Sequence, residues 1–76
     1  MKMGTSILEV EISDMMQFFD FAHLPEHLQR VSAPFYSLAW GIFSNLETSK
    51  EKYESLHRLL ESKDCAVRSA LQTKKD

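Results

Sequence analysis

One cysteine, Cys65, in 76 residues leaves no disulfide framework and suits a reducing compartment. The chain also lacks a surplus of positive charge. With a net charge of −2 and a pI near 5.9 it does not have the basic surface that a long nucleic acid requires, although a small anion in a local pocket is compatible with that balance. Its two glycines form no Gly-rich phosphate loop. Paired carboxylates and a serine elbow are missing too, so no enzyme and no cofactor are expected. The stretch after Lys2 is interrupted by Glu9 and Glu11, which excludes a secretory h-region there and makes the cytoplasm the expected location.

Charge is most conspicuously missing from Val31 to Leu46, sixteen residues without Asp, Glu, Lys or Arg in a chain that is 26% charged. At the helical step of about 100° per residue, Val31, Phe35, Leu38, Ile42 and Leu46 share one face. Tyr36, Trp40 and Phe43 form a second apolar stripe, and Ser37, Gly41 and Ser44 a face of small residues. Sixteen residues fall short of the roughly 20 needed to span a bilayer, so such a helix has to be covered by protein. A domain of this size buries only about 60% of its unfolded surface, and self-association is the economical way to cover the rest. The sequence therefore predicts a homo-oligomer that makes no membrane contact.

The C-terminal half reads as a long helix. Thr48-Ser49-Lys50-Glu51 has the form of a capping box, with Thr48 as N-cap. From there to about Thr73, Tyr53, Leu56, Leu59, Leu60, Ala66, Val67, Ala70 and Leu71 fall on one broad face. The short link at Glu47 predicts antiparallel neighbours. Residues 1–13 read as a flexible N-terminal arm, although Leu8, Val10 and Ile12 alternate with Glu9 and Glu11 as in a short strand. Ser13 or Asp14 can cap a turn through Met15–Phe19, and Pro25 suits the start of another short helix. Pro34 either starts the charge-free helix after a Ser32 cap or bends a continuous one. The expected fold is all-α: an antiparallel helical hairpin with one or two short N-terminal helices, one domain over residues 14–73, and a frayed end at 74–76.

Lys63 lies near the middle of the last helix's apolar face, where its ammonium either snorkels to water or enters an intersubunit pocket and meets an anion. Arg68 can pair with Asp64, and Arg58 with Glu54, as ordinary (i, i+4) partners. Both arginines are also candidate phosphate contacts. His23 and His27 have the four-residue spacing of zinc ligands on one helix face, but Pro25 puts His23 before the helix and no further ligands accompany them, so no metal is expected. The aromatic content is high for so small a core. A ring in the loop before Pro25, next to a cation, can stack a base while the cation neutralises a phosphate, and Phe21 is the leading candidate.

In order, FDFAHLPEH, a helix near RVSAPFYSLAW and LETSKEKYESLHRLLESKDCAVRSAL resemble the small phage anti-CBASS sponges, which sequester the cyclic oligonucleotides used as antiviral second messengers. The resemblance covers about Phe19 to Leu71. It rests on an F-x-aromatic element near a His, an S-[RK]-E helix start and a Leu-[RK]-Leu-like core. It implies a compact helical protein, assembled as a hexamer with ligands held between protomers. By this resemblance Phe21 takes the base-stacking position, beside His23, and Ser49, Lys50 and Glu51 open the last helix. Arg58 lies where the family often has Lys. Where family members carry basic residues in the first helix, this chain has Ala39, Trp40 and Gly41, and the family's last-helix tryptophan falls at or near Cys65. The expected function is non-enzymatic sequestration of cyclic di- or trinucleotides, with Phe21, His23, Tyr36, Trp40, Arg58, Lys63 and Arg68 forming the ligand site. The alternative is a helical-hairpin module that docks a protein partner through its aromatic stripe.

Overall fold

A computed structural model describes residues 6–73. Among these residues the chain is all-α: α1 spans Ile7–Met16, a single 3₁₀ turn follows at Gln17–Phe19, α2 spans Glu26–Asn45 and α3 spans Lys50–Thr73. None of these helices is long and apolar enough to cross a membrane.

Helix α1 replaces the expected arm over residues 7–13, because its start signal lies further back than Ser13 or Asp14. Ser6 Oγ accepts from the Glu9 N–H at 3.1 Å, and Glu9 Oε1 accepts from the Ser6 N–H at 3.1 Å, a reciprocal capping box. The domain boundary expected at 13/14 thus falls inside a helix. With that start, the apolar spacing becomes helical, and Ile12, Met15, Met16 and Phe19 turn inward to be buried. Residues 1–5 of the expected arm and the end expected to fray at 74–76 lie outside the described residues.

Helix α2 is continuous. Pro25 is its N-cap residue, so the short helix expected there and the charge-free helix are one element. Pro34 lies within it and supplies no N–H to the Arg30 carbonyl one turn back. The residues of α2 that are buried are Leu28, Ser32 and Ala39 rather than the larger side chains beside them. Leu38, expected on the covered face, is 55% exposed, and Ser37 and Ser44 are exposed. A Cβ placed on Gly41 would meet nothing within 4 Å. Close helix approach therefore uses Ser32 and Ala39, and not the Ser37, Gly41 and Ser44 face.

Helix α3 begins one residue later than the sequence suggests. Ser49, not Thr48, is the capping residue, its Oγ accepting from the Lys52 N–H at 3.0 Å. Position N3 is consequently Lys52 instead of Glu51, and the reciprocal half of the expected box does not form. The largest interface in the molecule lies between α2 and α3, with α1 packed chiefly on α3. Ile12, Met15, Met16, Phe19, Ala39 and Leu56 form the core, bordered by Phe35, Ile42, Tyr53 and Leu60 among others.

Candidate functional site

The segment from the 3₁₀ turn to Pro25 is fixed at several points along its length. Asp20 N–H donates to the Gln17 carbonyl at 3.2 Å, and Leu24 N–H to the Phe21 carbonyl at 3.0 Å. From α2, Gln29 Nε2 donates to the carbonyls of Ala22 at 3.3 Å and Leu24 at 2.8 Å. On the α3 side, the Lys63 ammonium donates to the Phe18 carbonyl. An irregular segment tied at both ends in this way can present side chains at fixed positions.

Lys63 is only 8% exposed, so its charge does not snorkel to water. An ammonium has three donors, and the Phe18 carbonyl uses one of them. Lys63 also lines a cleft of about 450 Å³ between this segment and α3. Phe18, Leu24, Leu60 and Val67 give the cleft apolar walls, and Lys63, His23, Gln17 and Asp64 supply its polar groups. Its volume and its mixture of apolar wall with a few converging polar groups are those of a small-molecule site. A recess of about 520 Å³ between α1 and the start of α3 is bordered by Glu11, Glu51 and Glu54, with Lys50 as its one cation, which disfavours anions.

The cleft unites only two of the expected site residues, Lys63 and His23. Phe21, the leading stacking candidate, is half-buried and meets Tyr36 edge-on, with ring centroids 5.2 Å apart. Tyr36 in turn lies 6.3 Å from Trp40, and Trp40 5.0 Å from Phe43, so these four rings form a series along one flank of α2. Trp40 is 38% exposed. Arg58 pairs with Glu54 at 3.5 Å on the surface, as the spacing predicts. Arg68 turns its Nη2 to Cys65 Sγ at 3.3 Å instead of forming the expected pair with Asp64. His27 belongs to α2 while His23 precedes it, and no group of three or more His, Cys, Asp or Glu among the described residues is placed to hold a metal ion.

Two residues escaped the sequence reading. Phe18 was not singled out among the aromatics, yet it is 57% exposed and lines the cleft. Once Ser6 and Glu9 are recognised as a cap, Ile12, Met15, Met16 and Phe19 define the inward face, and Phe18 falls outside it. Lys52 occupies the same line of α3 as Lys63, eleven residues or about three turns earlier, and is just as deeply buried. Its Nζ donates to the carbonyls of Phe43 at 2.8 Å and Leu46 at 2.9 Å, and lies 4.4 Å from the centroid of the Phe43 ring.

Comparison of the chain with protein-family models, curated proteins and solved structures finds no match in any of the three. Its functional reading therefore rests on the cleft and on the sequence pattern.

Proposed function

We propose that this protein binds cyclic di- or trinucleotides without turning them over and so lowers their free concentration, as the anti-CBASS sponges it resembles do. The observation that carries this reading is the adjacency of a buried ammonium, an imidazole and an exposed phenyl ring around one cleft, Lys63, His23 and Phe18. Cation and ring together suit a nucleotide, whose phosphate is anionic and whose base has a π-face. In this proposal α2 and α3 form an antiparallel hairpin, and sister copies cover the apolar flanks that carry Leu38 and Trp40, building a hexamer by resemblance. Arg58 and Arg68 are surface cations that neighbouring copies can bring to the ligand. The site of action is the cytoplasm of the infected cell. Sequestration needs stoichiometric protein and tight binding, which a site held at several points favours by limiting the ordering cost.

Calorimetry with a panel of cyclic di- and trinucleotides tests the proposal: saturable heat for at least one member is expected, and no heat for any member at micromolar protein overturns it. The nucleotide recovered after denaturing the protein should be intact; a linearised product points to a phosphodiesterase instead.

A protein-docking module is the second reading, favoured by the exposure of Leu38, Trp40 and Leu46 on α2 and its C-terminal end. It expects a monomer or dimer in isolation, where the sponge expects a closed oligomer. Light scattering separates the two, and Trp40→Glu should reduce the mass of the sponge assembly.

A further inference from the structure

We infer that Phe18, rather than Phe21, is the base-stacking ring, and that the cleft within a single chain takes one nucleoside monophosphate unit, with its phosphate on Lys63 and His23. This deepens the nucleotide reading and rests on it for the identity of the cyclic ligand. The cation and the ring are linked through one residue: the Phe18 carbonyl receives the Lys63 ammonium, and Phe18, more than half exposed, lines the cleft. The backbone of Phe18 is thereby held beside the charge before any ligand arrives, which limits the ordering cost of binding to the rotation of the ring. Leu24 and Val67 supply apolar wall for a base or sugar. Phe21 is absent from this cleft, and its ring packs against Tyr36 in a T-shaped pair.

Asp64 makes the cleft selective. Its carboxylate repels an anion on its own side and accepts from a donor, so it suits a ribose hydroxyl or an exocyclic amine better than a second phosphate. A bare phosphate gains the cation but neither the ring nor this acceptor. The cleft is therefore expected to prefer AMP to inorganic phosphate.

NMR titration of the whole chain with AMP, and separately with inorganic phosphate, tests this. AMP should shift the His23 imidazole and Val67 methyl signals, with inorganic phosphate binding more weakly. Phe18→Ala should weaken AMP binding roughly tenfold, the scale of one lost base–aromatic stack. Its backbone carbonyl is retained, and an unchanged circular dichroism spectrum confirms that the fold persists. Phe21→Ala should leave AMP affinity unchanged, and Asp64→Asn should narrow the preference for AMP over inorganic phosphate. Failure of AMP to move His23 at millimolar concentration overturns the inference, as does equal loss in Phe18→Ala and Phe21→Ala. If cyclic nucleotides give heat while AMP leaves His23 unmoved, the cleft assignment falls and sequestration stands. If AMP binds as described and no cyclic nucleotide does, the cleft stands and sequestration falls.

Discussion

Helix α3 buries one lysine near its start and another near its middle, and the two are used differently. Near the start, Lys52 gives two donors to the carbonyls that finish α2 and sets its charge against the Phe43 ring. That is a helix C-terminal cap supplied from the next helix, where a cation also meets the negative end of the α2 dipole. Lys52 also borders a recess of about 380 Å³ lined by Glu9, Ser13, Phe43 and Thr48, but two of its three donors are already given to carbonyls. Further along, Lys63 gives one donor to the Phe18 carbonyl and lines a cleft together with His23 and Phe18. Burial of a lysine is thus no guide to function. How many of its donors the fold already uses is a better one.

The largest effect should come from the core on which α3 packs. Phe19→Ala, at a position with no exposed surface, is expected to cost about 3–5 kcal/mol in urea unfolding, and to erase the contrast by loosening the turn that carries the Phe18 carbonyl. Lys52→Met keeps most of the apolar stem but strands two carbonyls, so a loss of about 2 kcal/mol is expected with the AMP response at His23 intact. Lys63→Met removes one such bond and should cost about 1 kcal/mol by the same measure, while the AMP response disappears. Equal stability losses in the two variants, or an AMP response surviving Lys63→Met, would break the comparison. Ser32→Ala bears on α2, the helix packed against α3. Ser32 is fully buried, and its Oγ has no hydrogen-bond partner among the described residues, so its removal should stabilise the fold by about 0.5–1 kcal/mol. Arg58→Gln should be the smallest change, within about 0.5 kcal/mol, because the Glu54 pair is on the surface.

Much of the fold was legible in the residues. The charge-free run and the apolar face from Tyr53 onward announced α2 and α3, and the short link between them falls where it was expected. The start of α1 was legible too, as Ser6 followed by Glu9, but the alternation of Leu8, Val10 and Ile12 drew attention away from it. Pro34 left two outcomes open, because a proline's cost of about 3 kcal/mol inside a helix can be met by packing on either side of it. The candidate site was less legible. His23 and Lys63 were singled out and share the cleft, whereas Phe21 and Phe18, three residues apart, exchanged places as the available ring. Rotation along the helix ranks faces, but it does not say which of two flanking aromatics another helix will cover.

The sequence by itself determined the helical class, the charge-free part of α2 and the approximate extent of α3, because apolar periodicity and turn chemistry are properties of neighbours along the chain. The tertiary structure alone decided which donors are used and which ring stays free. Lys63 meets a carbonyl forty-five residues away and Phe21 meets Tyr36 on another element, contacts set by three-dimensional packing that local spacing does not encode.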